Sequence, residues 1–244
     1  MFSDGTKGIY VAFLNQGEVR VELSYLGTQL THQNKYNIFY SYPADKPIES
    51  NRNKIVKDFL SKPEYDYLLM IDGDIIPPLN ILDLADHDKD IITPVLYTFR
   101  QIGGGQHGVV PLVMRKEEGN DNKYKVIDIG KEKGLMEVDA SGSGCMLIAR
   151  RVLEHKDMRY PFKNYYDEDG IRNFGLDFSF CKRAKEAGFS VWVDTRKECS
   201  HWTVLDLKMV YNTIMKFKEG QDNLIEKLKE RLCVDCLEKI KDLI

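Results

Sequence analysis

Tyr67-Leu-Leu-Met-Ile-Asp72-Gly-Asp74-Ile-Ile-Pro-Pro78 is the stretch from which the fold can be read. Its first five residues are an unbroken apolar run, too short for a helix and bounded by charge and glycine, which predicts a strand covered on both faces. That places it in the middle of a sheet. Two carboxylates one residue apart then end the run, and two prolines stop the strand from continuing. Hard oxygen ligands at a strand end suit Mg2+ or Mn2+, above all where substrate phosphates complete the coordination. A solvated turn is the competing reading, because Asp and Gly are common turn residues.

Upstream, Gly8-Ile-Tyr-Val-Ala-Phe-Leu14 predicts a first buried strand. Residues 18–30 follow with Val19, Leu23, Leu26 and Leu30 at helical spacing. Residues 36–42 predict a second strand. After Pro43 and Pro47, residues 52–60 put Ile55, Val56, Phe59 and Leu60 on one helical face. Strand, helix, strand, helix, strand implies a parallel sheet with right-handed crossovers, whose ligand site lies beyond the carboxyl ends of its strands. Asp72 and Asp74 sit at such an end.

Downstream, residues 79–84 predict a short helix and residues 90–97 a strand. Pro94 makes that strand an edge or a bulged one. Gly103-Gly-Gly105 reads as a mobile loop, and residues 109–114 and 124–129 as a hairpin excursion. In Gly142-Ser-Gly-Cys-Met-Leu-Ile148 small residues precede an apolar strand, as either a plain turn or a loop that lets a ligand approach. Residues 160–175 are aromatic and acidic, with Tyr165, Tyr166, Asp167, Glu168 and Asp169 together. Asp177 then opens a helix that Gly188 stops, where it either caps the dipole or does chemistry. Residues 189–193 predict a last strand before His201. From residue 204 the pattern is helical, with Leu205, Met209, Ile214, a break at Gly220, then Leu224, Leu228, Leu232, Cys236 and Ile240.

The 244 residues carry a net charge of −3 with both signs mixed throughout, so composition gives no nucleic-acid footprint. No apolar run approaches the roughly 20 residues of a membrane span, and the first residues lack the plan of a signal peptide, so the cytoplasm is the expected location. Five cysteines, of which only Cys233 and Cys236 are closely spaced, argue against a disulfide framework.

Taken in order, these pieces resemble the GT-A-fold glycosyltransferases, most closely the family 2-like group, over roughly residues 8–203. The resemblance is carried by the apolar strand ending in Asp72-Gly73-Asp74, by Gly142-Ser-Gly-Cys-Met-Leu-Ile, by Leu176-Asp177-Phe-Ser-Phe-Cys-Lys-Arg, and by Val191-Trp-Val-Asp ahead of His201. It implies an α/β GT-A domain over residues 1–203, with a Rossmann-like mixed, mainly parallel sheet flanked by helices. A helical extension over residues 204–244 would pack on that domain or form a homodimer seam. It implies a metal-dependent transfer of one sugar from a nucleotide-sugar donor, UDP-linked with UDP-glucose the first guess, to an acceptor hydroxyl. Asp74, Asp72 and His201 would hold Mn2+ or Mg2+, and Asp177 would be the general base. Asn15, Asp45, Arg52, Asn53, Asp72, Gly73, Gly142, Ser143 and Gly144 would lie along the donor.

Two departures qualify the resemblance. The family's usual Glu-Asp pair is Leu176-Asp177 here, and the Gln-x-x-Arg-Trp motif and membrane helices of polysaccharide synthases are missing, which favours single transfer over processive synthesis. Haloacid-dehalogenase phosphatases also place Asp-x-Asp after an apolar strand. They need a Thr or Val soon after and a later acidic pair, where this chain has Ile75 and Ile76 and no Asp-Asp pair. A binding module that holds the donor without turnover is the third reading.

Overall fold

The structure, a computed structural model, describes residues 5–103, 106–130, 133–166, 168–170, 172–204 and 206–231. Of the residues singled out above, Gly104, Gly105, Asp167, Leu205, Leu232, Cys233, Cys236 and Ile240 lie outside the described residues. The chain divides into two units, Met1–Trp202 and Thr203–Ile244.

In the first unit β1 (Gly8–Leu14) is buried at every position, which is why its composition is apolar without alternation. It is followed by α1 (Val21–Thr31), β2 (Asn37–Ser41), α2 (Ile48–Leu60), β3 (Tyr67–Asp72) and the two-residue β4 (Ile75–Ile76). The α2 helix begins a turn earlier than its apolar spacing suggested, because Ile48 to Asn51 continue the helix without adding to the apolar stripe. Tyr10 and Phe13 have opposite parity on β1 and so point to opposite faces. Tyr10 meets Phe59 of α2 edge to face at 6.0 Å. A Cβ on Gly27 of α1 would come within 3.7 Å of Phe13 and 2.9 Å of the Tyr42 hydroxyl. The two helices thus cover opposite faces of the sheet, and Gly27 lets α1 approach.

After a 3-10 turn (Ile81–His87) come β5 (Ile91–Val95), the hairpin of β6 (Tyr97–Gly103) and β7 (Gln106–Pro111), and the hairpin of β8 (Val113–Glu117) and β9 (Asn120–Val126). The excursion expected as one hairpin is therefore two, divided at Pro111. Then follow β10 (Leu135–Val138), β11 (Ala140–Ser141), β12 (Cys145–Ala149), α3 (Arg150–Leu153), β13 (Tyr165–Tyr166), β14 (Arg172–Phe174), α4 (Leu176–Glu186), β15 (Val191–Glu198) and β16 (Ser200–His201). The aromatic and acidic segment carries the small antiparallel pair β13–β14.

The central sheet has seven strands in the order β10-β15-β5-β12-β3-β1-β2. β1 runs parallel to β2 and β3, and β5 parallel to β15, while β12 is antiparallel to both β3 and β5, and β10 antiparallel to β15. This is the mixed, mainly parallel sheet flanked by helices that the resemblance implied. Contrary to the edge position that Pro94 suggested, β5 lies inside the sheet between β12 and β15. The β12 ladder has ended at Ile92, and the register of β15 slips between Asp194 and Glu198, opposite the proline. The missing N–H is accommodated by that irregularity. Cys145, Cys181 and Cys199 are buried free thiols.

In the second unit α5 (Leu207–Arg231) runs without interruption through Gly220, where a break was expected. One glycine inside a helix weakens it by about 1 kcal/mol, which the 25-residue length tolerates. No helix among the described residues is long and apolar enough to cross a membrane.

Candidate functional site

The site is built where β1 and β3 end side by side, Leu14 opposite Asp72. Gly73 makes the turn that follows. A Cβ there would stand 2.9 Å from the Leu14 carbonyl oxygen, so only glycine lets the turn lie against the end of β1. The chain then re-enters extended structure at β4, which pairs antiparallel with β16 so that His201 lies opposite Ile75. The Trp202 N–H donates to the Asp74 carbonyl at 2.9 Å and closes this short ladder. Two apolar residues after Asp74 thereby bring in a histidine from the far end of the domain.

That histidine is oriented. His201 Nδ1 lies 2.6 Å from the Tyr97 carbonyl oxygen, which can only accept, so Nδ1 carries the proton. In the neutral ring the Nε2 lone pair is then left facing outward, and it points at Asp74 Oδ2 across 3.5 Å. A lone pair and a carboxylate repel each other unless a cation, a proton or a metal ion, sits with them. The Asp74 side chain is half exposed, at 51%, so a cation in solution can reach it. Among the described residues no group of three or more His, Cys, Asp or Glu is arranged to hold a metal ion. A carboxylate and an imidazole from the protein suit Mg2+ or Mn2+ if the phosphates of a ligand supply the other oxygens.

Asp72 has different surroundings. Nη2 of Arg52 donates to both of its oxygens at 2.8 Å, and the Arg52 residue is 2% exposed. Nη1 of the same guanidinium donates to the Ser143 carbonyl at 3.2 Å, and its carbon lies 5.5 Å from the centre of the Phe162 ring. Burial pushes the Asp72 carboxyl above the usual carboxylate range although 27% of its side-chain surface is open, and the Asp177 and Asp74 charges add to the rise against the lowering effect of Arg52. Asp177, in the first turn of α4, accepts a hydrogen bond from the Ser143 hydroxyl at 2.5 Å. Gly144 closes the corner: its carbonyl accepts the Asp72 N–H at 2.8 Å, and a Cβ on it would lie 3.0 Å from Ile75 and 3.5 Å from Asp72 Oδ2.

The remaining residues marked in the sequence are distributed as follows. Asn15 holds the ends of β1 and β2 together, its amide donating to the Pro43 carbonyl at 3.3 Å and its oxygen accepting the Gly17 N–H at 3.0 Å. Asp45 is paired with Lys54, which holds its carboxyl below the usual range. Asn53 is turned toward the backbone of Phe162, donating at 2.7 Å and accepting at 3.2 Å. Gly142 lies under Leu112 and Leu96, where a Cβ would meet a methyl at 2.8 Å. Asp72, Asp74, Asp177, Ser143, Gly144 and His201 converge. Arg52 joins them from beneath, and Asn53, Asp45 and Gly142 face other partners.

A cavity of about 840 Å3 opens beside the carboxylates, lined by residues 14–20, Ile48 and Asp72 to Asp74. That is within the ~300–1,000 Å3 of small-molecule sites. Its wall contains Arg20, which the sequence reading passed over. The Arg20 guanidinium lies 5.1 Å from the Trp202 ring centre, so the start of α1 and the residue after His201 meet. No local pattern marks Arg20, since its neighbour is far away in sequence. A larger cleft of about 1290 Å3 lies between α2 and residues 153–161 and contains none of the converging carboxylates.

No protein-family model and no curated protein matches the chain. Solved structures similar to it include A197 from STIV, 18% identical with a TM-score of 0.49 over 82% of this chain and 87% of that one. Another is GalNAc-T7 with UDP, GalNAc and Mn2+, 11% identical with a TM-score of 0.46 over 82% of this chain and 44% of that one. A third is the inositol-1-phosphate CTP transferase from T. maritima, 16% identical with a TM-score of 0.42 over 88% of this chain and 97% of that one. At 11–18% identity no residue role passes from these structures to this chain.

Proposed function

We propose that the chain is a metal-dependent glycosyltransferase that moves one sugar from a nucleotide-sugar donor, with UDP-glucose the first candidate, to an acceptor hydroxyl. The observation that supports this reading is the Asp74–His201 pair, a carboxylate oxygen 3.5 Å from an imidazole nitrogen, with Asp74 in the wall of a ligand-sized cavity. Asp74 and His201 Nε2 would hold Mn2+ or Mg2+, which when bound neutralises charge on the leaving diphosphate. Arg20 adds a fixed positive charge on the same cavity wall, where it would meet the donor diphosphate. Asp177 takes the proton of the attacking hydroxyl while the bond between the sugar and the diphosphate breaks and the diphosphate leaves with the electron pair. Ser143 holds one Asp177 oxygen and leaves the other for that proton.

The phosphatase reading needs Asp72 as a free nucleophile. Both of its oxygens are engaged by the buried Arg52 guanidinium, which leaves neither free to attack phosphorus. Incubation with a panel of UDP-sugars and Mn2+ tests the proposal. Release of UDP by the wild type, reduced about 100-fold or more in Asp177→Asn, is the expected result. No release from any donor, together with no Mn2+-dependent binding of UDP, would falsify it.

A further inference from the structure

The Arg52 residue is 2% exposed, and a guanidinium buried in this way is costly unless its donors are used. Nη2 reaches Asp72 at 2.8 Å and Nη1 reaches the Ser143 carbonyl at 3.2 Å, while Nε has no hydrogen-bond partner. The Ser143 hydroxyl goes on to Asp177 at 2.5 Å. Asp72, Arg52, Ser143 and Asp177 are therefore successive members of one chain of contacts, drawn from β3, α2, the turn before β12 and α4. A second tie, from the Asp72 N–H to the Gly144 carbonyl at 2.8 Å, fastens the same turn to the end of β3.

We propose that Arg52 is a positioning residue with two effects. It withholds Asp72 from the cation, and it fixes Asp177 relative to Asp74. The inference rests on the reading of this site as a glycosyltransferase centre. With both oxygens of Asp72 engaged, the protein offers the ion Asp74 and His201 alone, a set too small for Mn2+ or Mg2+ without ligand oxygens. The ion then binds weakly by itself and tightly with a diphosphate. Arg52 thereby makes cation binding depend on the donor, and it does so without touching either.

Binding of Mn2+ alone to the full chain, followed by electron paramagnetic resonance, tests this in wild type, Arg52→Met and Ser143→Ala, alongside UDP release from UDP-glucose. Arg52→Met frees Asp72, so it should bind Mn2+ alone about tenfold more tightly than wild type while releasing UDP about tenfold more slowly. Adding Asp72→Asn to Arg52→Met should abolish the gain. Ser143→Ala should leave Mn2+ affinity unchanged and slow UDP release about tenfold, because it loosens Asp177 alone. A merely structural Arg52 predicts no rise in affinity. A folded Arg52→Met with unchanged or weaker Mn2+ binding, or a gain that survives Asp72→Asn, overturns the proposal. If Arg52→Met does not melt cooperatively, Arg52→Gln serves instead, since it removes the charge that holds Asp72 and the same rise is expected. A wild type that releases no UDP from any donor sinks the transferase reading, whereas the Mn2+ gain and its loss with Asp72→Asn decide the role of Arg52 independently.

Discussion

Asp72 and Asp74 stand one residue apart and have opposite surroundings. On a continuous strand they would share a face. The strand ends at Asp72, however, and the Gly73 turn sends Asp74 into the β4–β16 ladder. Asp72 is held by a buried guanidinium, and Asp74 is half exposed beside an imidazole. An Asp-x-Asp spacing therefore does not give its two carboxylates equivalent surroundings. What surrounds each carboxylate assigns its work, and the surroundings come from α2 on one side and from β16 on the other.

The largest expected effect lies with the residue tied to the Asp72 side. Asp177→Asn removes the proposed base and should slow UDP release by about 10²–10⁴-fold, with Mn2+-dependent UDP binding measured by calorimetry unchanged. Retained turnover would take Asp177 out of that role. On the Asp74 side, His201→Ala should weaken Mn2+ binding in the presence of UDP by about 10–100-fold, read by the same calorimetry. An equal loss in Tyr97→Phe is not expected, because His201 is held by the Tyr97 backbone carbonyl and not by its ring. Arg20→Ala should raise the donor KM about tenfold, the scale of one charge-assisted hydrogen bond, and leave kcat nearly unchanged.

The smallest expected effect concerns a second buried aspartate. Asp194 is 1% exposed, and although burial works to raise its carboxyl, Arg196 and then His87 bring it below the usual range. Asp72, also paired with an arginine, is raised. A depressed carboxylate contributes stability that is present above its unfolded pKa of about 3.9 and is lost as pH falls through the folded value. Thermal melts between pH 6 and pH 3, a window of about one unit below and two above that value, should show a steeper acid-side fall in wild type than in Asp194→Asn. Parallel curves would contradict the pairing of Asp194 with Arg196.

Much of the sheet was readable in the sequence, because a strand buried on both faces needs an uninterrupted apolar run. Gly8 to Leu14 and Tyr67 to Ile71 have one, and their boundaries came out within a residue. Asp177 at the start of α4 and His201 after the last long strand were readable as well. What was not readable depends on partners distant in sequence. Pro94 marks an irregular strand, but whether that strand is at an edge depends on β12 and β15 closing around it. Arg52 follows the second strand region as expected near a donor, yet its side chain turns inward, a direction set by Asp72 and the Ser143 carbonyl. The Tyr97 carbonyl that fixes His201 carries no side-chain signature at all. Gly220 shows the converse, a local helix weakener overridden by the helix around it.

In the function proposed above, Asp74, and not Asp72, is the carboxylate that binds the cation. Calorimetric titration of UDP into wild type, Asp72→Asn and Asp74→Asn, each with and without Mn2+, tests it most directly. Mn2+ is expected to strengthen UDP binding in wild type and in Asp72→Asn and to do nothing in Asp74→Asn. Loss of the Mn2+ effect in Asp72→Asn with its retention in Asp74→Asn would contradict it.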